Sequence, residues 1–534
     1  MKDLKLGSRR LAVMLLVVFL ALPVFAEWPY KSHKIDTIVS LLCRNLIKSN
    51  GSVWERSGFI PGAVIASNSE HSTGGGSYFA HWVRDGALVM NTLVNLYKSN
   101  HNAMYLGYPV SEYLRNYVYF VRVYSLKSLG DHLTPAKFYI ESGEAYKNWS
   151  HQDDGPALRS SALTNLAFEC LYNPDSDQGL DEEYARETLY PIIKSDLEYT
   201  AHQFSEAFNP GNSKGKTTNL WEESYGCTFF TEISQLKALL AGAALSNDEH
   251  IDDPGAAQFY VEMANYPLEL AQAHWQDNYY YYNQEITGYT AGLQDEWNQR
   301  GMMLNISVML GALYADLRKA LDGSGRIYRN LYRDKPGYEA SAFRFIVESL
   351  NNDPGLFVNS EKMQRTVYEI VRCFSTGGCD PYGINIEDSR FGVGPLVGRY
   401  PHDAYSPYNS GQGNPWFLTS LGVAEYYFTL ADRLKEMGDI HVTRLNLPFF
   451  KMIKEDIIPG TYDAESHSGM ELLEALRARG EMIVGAVRRH CEQDTLEMSE
   501  QINRNTGFME GASNLTWSYS SLVRAWLAYD SMRD

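Results

Sequence analysis

Hydrophobic positions recur along this chain at the three-to-four-residue spacing of helices that bury one face. Leu515, Tyr519, Leu522, Val523 and Trp526 form one stripe, with Ser513 or Asn514 as the capping residue ahead of it. Ile306, Leu310, Leu313 and Leu317 form another. Gly155-Pro156 opens a third helix, whose Leu158, Ala162, Leu166 and Cys170 share a face. Asn414-Pro415-Trp416 sets a cap before a proline at the first helical position and predicts a helix running toward Leu434. Alternating strand patterns are few and short, so the expected fold is all-α. Gly74-Gly75-Gly76 reads as a loop, and Tyr279 to Tyr282 as an aromatic cluster rather than a repeat. No linker rich in Pro, Gly or Ser divides the chain, which predicts a single helical domain of about a dozen helices paired as hairpins.

The first residues change this picture. Lys2, Lys5, Arg9 and Arg10 precede an apolar run from Leu11 to Leu22, and Val24-Phe25-Ala26 supplies the small residues of a cleavage site. The run is short for a membrane span, so residues 1–26 are expected to be a secretory signal peptide and 27–534 the mature domain. Removing four basic residues and Asp3 takes the formal net charge from −18 to −21. Such a chain repels nucleic acid and anionic membranes and suits a neutral or cationic partner. The six cysteines allow three disulfides or buried thiols in an exported chain, with Cys373 and Cys379, either side of a Gly-Gly turn, best placed to join. No Cys/His spacing suggests a metal.

Several loops and helix starts set a tryptophan beside charged or carboxamide groups: Trp82-Val83-Arg84-Asp85, Trp149 ahead of Asp153-Asp154, Trp221-Glu222-Glu223 and Asn414-Pro415-Trp416. Sugars offer apolar C–H faces and a rim of hydroxyls, and an indole covers the face while Arg, Asp or Glu grips the rim. Glycoside hydrolysis needs two carboxyl groups, one to protonate the leaving oxygen and one to activate water or attack carbon. With 65 acidic residues in the chain, the chemistry states the requirement without choosing the pair.

Longer motifs choose it. Tyr78-Phe79-Ala80-His81-Trp82-Val83-Arg84-Asp85 resembles the Y-F-x-x-W-T-R-D element of family-fifteen glycoside hydrolases, the glucoamylases. Asp154-Gly155-Pro156-Ala157-Leu158-Arg159, Asn219-Leu220-Trp221-Glu222-Glu223 with Phe229-Phe230, and Val397-Gly398-Arg399-Tyr400-Pro401 with Gly413-Asn414-Pro415-Trp416-Phe417-Leu418 are similar to further elements, in the family's order. Ser499-Glu500-Gln501 and Leu515-Thr516-Trp517-Ser518 complete the series. The resemblance implies an (α/α)6 toroid of six inner and six outer helices; no starch-binding domain is expected, because the last helix is expected to end at about Arg533 and residues 27–77 look too short and helical for one. It implies an exo-acting, inverting hydrolase of α-glucans that uses no cofactor; with the leader and the lack of metal-type spacing, a secreted monomer without a metal is expected. Glu222 would be the general acid and Glu500 the general base. Arg84, Asp85 and Arg399 would hold the terminal glucose, with Tyr78, Trp82, Trp149, Asp154, Trp221, Glu223 and Trp416 around it.

Each residue also has a plainer reading. Glu222 and Glu223 could be a solvated acidic pair, and on a helix they would point about 100° apart, leaving one to face a site. Glu500 could belong to a polar run with Glu492, Asp494 and Glu497, Arg84-Asp85 could be an internal ion pair, and Asp154 could cap its helix. The intact carboxyl pair and the leader argue against a binding domain that has lost its chemistry. A related toroid acting on trehalose or dextran is the other alternative. The chain departs from the family at Val83 for Thr, at Asn219 for Asp, at His402 for Glu and in a longer loop from Tyr405 to Gly413. Asn50, Asn148, Asn305 and Asn514 lie in glycosylation sequons, of which Asn148 and Asn514 are expected to stay unmodified.

Overall fold

The computed structural model describes residues 28–30, 32–69, 77–126, 135–205, 215–276, 278–283, 303–407 and 411–532. The leader expected over residues 1–26 and the triple glycine at 74–76 lie outside them.

Twelve of the helices among the described residues alternate between two concentric rings, with shorter helices in the connections. They are α1 (Ser32–Arg44), α2 (Val83–Ser99), α3 (Val110–Phe120), α4 (Asp154–Tyr172), α5 (Tyr190–His202), α6 (Phe229–Ser246), α7 (Pro254–Ala273), α8 (Ile306–Ala315), α9 (Glu361–Phe374), α10 (Phe417–Met437), α11 (His467–His490) and α12 (Thr516–Ser531). The even-numbered helices pack in a closed cycle, α2 on α4, α4 on α6, α6 on α8, α8 on α10, α10 on α12 and α12 back on α2. The odd-numbered ones lie outside, each against its neighbour in the inner cycle.

Composition explains who sits where. Inner helices are covered on every side, and α6 buries all but one of its residues from Phe229 to Ser246. A helix apolar or small all round has nowhere else to go. Outer α9 buries Met363, Val367, Ile370 and Phe374 on one stripe and starts at Ser360, whose hydroxyl accepts the Met363 N–H at 3.1 Å. Where α8 and α10 approach, Gly422 leaves the space filled by Leu310, which any side chain would enter. Glu425 of α10 and Arg524 of α12 pair across the inner ring at 2.6 Å.

Three expected starts and stops are corrected. The helix after Asn414-Pro415 begins at Phe417, because Trp416 is held in a bridge to Gln501 and its N–H goes to Val397 O. The last helix begins at Thr516; Asn514 has a left-handed backbone and its Oδ1 takes the Tyr519 hydroxyl instead of capping. The Ile306 stripe breaks at Asp316, also left-handed, and Leu317 starts a separate short helix. Cys373 and Cys379 are bonded, and the other four cysteines are buried thiols. Among the described residues no helix is long and apolar enough to cross a membrane, and no cluster of acids, His and Cys could hold a metal.

Short antiparallel ribbons join the helices, some of them at the end where the inner helices begin. Three matter here: β1 (His81–Trp82) with β2 (Lys137–Phe138), β3 (Lys216–Thr218) with β4 (Tyr225–Cys227), and β5 (Gln501–Ile502) with β6 (Met509–Glu510).

Candidate active site

All six inner helices point their N-termini at this end, so their unpaired N–H groups and positive dipole ends favour carboxylates there. A cavity of about 240 Å³ opens between them, at the small end for a small-molecule site. Tyr78, Trp82, Arg84, Asp85, Trp149, Trp221, Glu222, Glu223, Arg399, Trp416 and Glu500 all line it. Asp154 is the exception among the expected contacts. It is buried behind Arg84, which it pairs at 3.2 Å, and it neither reaches the cavity nor caps its helix.

Glu222 is on no helix. Residues 219–224 form the tip of the β3–β4 hairpin, whose register pairs Thr218 with Tyr225. Asn219 closes the tip: its N–H donates to Ser224 O, its C=O accepts the Glu222 N–H at 2.9 Å, and its Oδ1 accepts the Glu223 N–H at 2.9 Å. Glu222 is thereby held at φ 64°, a left-handed conformation rare for a residue with a side chain. The turn, unlike a helix, lets both Glu222 and Glu223 face the cavity.

Three donors converge on one oxygen of Glu222. Gln152 Nε2 (2.8 Å), Trp82 Nε1 (3.0 Å) and Arg84 Nη2 (3.4 Å) all reach Oε1. Oε1 is thus held as an acceptor, and these three donors leave Oε2 untouched. Arg84 is itself divided among Gln152, Asp154 and Asp85. Burial pushes the Asp85 carboxyl up to about 6, against the pull of Arg84 and with Glu222 and Asp154 adding to the rise.

Glu500 stands just before β5, almost fully buried. Tyr78 Oη donates to its Oε1 at 2.8 Å and Gln501 Nε2 to its Oε2 at 3.2 Å. Burial raises this carboxyl above its ordinary range, and the Tyr78 hydroxyl and Arg399 hold it back. Gly511, at φ 79°, lies so close that a side chain there would collide with the carboxylate.

On the third side Arg399 grips Asp403 with two bonds (2.7 and 2.8 Å) and Glu223 with one (2.6 Å), while Tyr400 donates to Glu223 at 2.7 Å. Burial raises Glu223, and Arg399 opposes it. The guanidinium is walled by Tyr405, Trp221 and Trp416 at 4.8, 5.3 and 5.4 Å from the ring centres. Trp221 is fixed by Asn305, whose Oδ1 accepts its indole N–H at 3.0 Å. The indole N–H groups of Trp149 and Trp416 are buried without a protein partner, as donors kept for a ligand would be.

Sequence reasoning missed Lys137, Tyr405 and Trp517, which also line the cavity, and Gln152, which touches Glu222. Tyr405 stood in a loop noticed only for its length, and Lys137 and Gln152 carried no pattern of their own.

A pocket of carboxyls walled by indoles, at the N-terminal end of a double helical ring, is the apparatus of a carbohydrate-active enzyme. The chain belongs to the glycosyl hydrolases family 15, whose sequence model matches residues 41–527. It is a glycoside hydrolase of the glucan 1,4-α-glucosidase kind. A glucoamylase of Blastobotrys adeninivorans is 26% identical over 497 residues, covering 89% of this chain and 68% of its own. One of Saccharomycopsis fibuligera is 26% identical over 496 residues, 87% of this chain and 84% of its own. A relative in Saccharomyces cerevisiae, 26% identical over 491 residues (88% and 78%), is named an intracellular, sporulation-specific glucoamylase. Among solved structures, a glucoamylase of Saccharomycopsis fibuligera superposes with a TM-score of 0.70 at 23% identity, over 95% of this chain and 98% of its own. The Hypocrea jecorina enzyme gives 0.70 at 22%, over 94% and 72%. Both share the double ring, and the fold is the (α/α)6 barrel.

Proposed function

We propose that this enzyme removes single glucose units from the non-reducing ends of starch, glycogen and malto-oligosaccharides, with inversion to β-D-glucose. It cleaves α-1,4 links and, more slowly, α-1,6 links. Glu222 is the general acid and Glu500 the general base. The observation that carries this reading is the clamping of one Glu222 oxygen by three N–H donors, in the same cavity as a buried Glu500. Asp85, Arg84 and Arg399 take the hydroxyl rim of the terminal glucose, and the indoles of Trp82, Trp149, Trp221 and Trp416 cover its faces. A cavity of about 240 Å³ suits a chain end better than a mid-chain segment.

In the reaction Glu222 gives its proton to the glycosidic oxygen while Glu500 takes one from the water attacking the opposite face of C1. These transfers leave Glu222 ionised and Glu500 protonated, and exchange with solvent resets both. No cofactor enters the reaction. The enzyme works as a secreted monomer, residues 1–26 being its leader.

Glu222→Gln tests the acid. Maltose hydrolysis falls about 10²–10⁴-fold, the usual share of general acid catalysis. α-Glucosyl fluoride keeps far more activity, because fluoride leaves with little protonation. In the wild type, NMR before mutarotation shows β-glucose as the first and only small product. Equal loss on both substrates would remove Glu222 as the acid. α-Glucose, or early maltose, would remove the inverting exo reading.

A further inference from the structure

Lys137 is a charged group in a place where charges are rarely left alone. It is fully buried, and its Nζ has no hydrogen-bond partner. It belongs to the cavity wall. Three aromatic rings surround it instead of a carboxylate: Trp149 at 3.9 Å, Trp82 at 4.0 Å and Tyr146 at 4.4 Å from Nζ to the ring centre. An ammonium over indole and phenol faces is attracted by the ring quadrupoles, most strongly where water is excluded.

The local chain builds this cage deliberately. Lys137 in β2 is the cross-strand partner of Trp82 in β1, so their side chains leave the ribbon on the same face. The Lys137 carbonyl accepts the Tyr146 N–H at 2.9 Å, and Tyr146 O accepts the Trp149 N–H at 3.1 Å, which brings the other two rings round. Trp82 and Trp149 meet edge to face at 5.8 Å and 82°. The Trp82 ring that covers the ammonium is the one whose N–H donates to Glu222 Oε1 at 3.0 Å.

We propose that Lys137 is a positioning residue for the acid: through the Trp82 ring it holds the indole N–H on Glu222 Oε1, and its charge steadies the carboxylate left behind when the glycosidic oxygen is protonated. This rests on Glu222 being the acid. Among the described residues Glu222 is the carboxylate whose charge acts on Lys137, while Arg84, with Asp85 and Asp154 behind it, faces Glu222 from α2 and α4. Burial lowers the Lys137 ammonium to about 8, with Glu222 pulling the other way. The cation is therefore present through the acidic and neutral range and lost above it.

Lys137→Met keeps the length and removes the charge. The expected result is a maltose kcat reduced about 10–100-fold with KM changed less than about threefold, from loss of buried cation–π and charge support. Activity on α-glucosyl fluoride falls less than about threefold, and the basic limb of the maltose pH profile moves to higher pH. Lys137→Arg, which keeps a cation against the rings, retains the wild-type ratio of fluoride to maltose activity. Should the Met variant not fold, that ratio in the Arg variant is the deciding measurement, and a rise above threefold overturns the proposal. Equal loss on both substrates, no loss on maltose, or an unmoved basic limb in a folded Met variant also overturns it. Glu222→Gln, assayed alongside, separates the two ideas. If it spares fluoride and Lys137→Met does not, only the role of Lys137 fails. If Glu222→Gln itself loses both substrates, the assignment of the acid fails.

Discussion

Asp85→Asn would make this protein more stable and less active, by amounts that follow from where the carboxyl lies. The folded protein holds the Asp85 proton up to about pH 6, against 3.8 for an ordinary aspartate, chiefly because the group is buried. At about 1.36 kcal/mol per pH unit, that difference costs the ionised fold about 3 kcal/mol. The sign follows from linkage. A carboxyl raised on folding binds its proton more tightly in the native state, so the protein is most favoured below pH 4 and loses that advantage as pH rises to 6. Asparagine has the same shape and no charge, so it escapes the loss. Thermal melting at pH 7 should place the variant above the wild type by a few degrees, and at pH 4 the two melts should converge. Activity moves oppositely: losing a charge-assisted hydrogen bond to a sugar hydroxyl costs about 1.5–3 kcal/mol, or roughly 10–150-fold in kcat/KM. A gap in melting that is absent at pH 7, or the same at both pH values, would refute the reasoning.

Two further outcomes complement those of Glu222→Gln and Lys137→Met. Tyr78→Phe removes the hydroxyl that restrains Glu500, so the base protonates sooner as pH falls and the acid limb of kcat/KM moves to higher pH; an unchanged limb contradicts the assignment. Asn305 and Asn514 are buried, so glycan mapping in a glycosylating host should find them bare, whereas Asn50 and Asn148 are exposed and open to modification. Modification at Asn305 would contradict its bond to Trp221, and the exposure of Asn148 reverses the expectation drawn from its neighbour Trp149.

Four inner helices, α4, α8, α10 and α12, were legible as apolar stripes or capped starts, although the structure buries them on more than the one face the stripes suggested. Motifs located most of the cavity wall, since each sits in a short stretch ending in an inner helix. What stayed hidden was set by partners far along the chain. Phe417 starts its helix late because Trp416 is bridged to Gln501, 85 residues away. Glu222 and Glu223 share a cavity because Asn219 bends a hairpin, while their sequence alone fits a helix equally well. Asp154 read as a sugar contact or cap, yet its carboxylate is used by Arg84. Lys137 is meaningful only beside Trp82, and nothing near it in sequence says so.

The two ends of the ring meet at Glu500. Asn45, just past α1, donates to Asn514 O and Thr516 Oγ1, and Thr516 in turn bonds Ala66 O and Ile65 O. Tyr78 reaches Glu500 across 422 positions of chain. During synthesis the Glu222 hairpin and the first three inner helices leave the ribosome long before Glu500 does, and domains of this size assemble through intermediates. For most of its translation the chain lacks the segment that closes this seam. With Glu222 and Glu500 as the proposed pair, activity requires this seam to be closed.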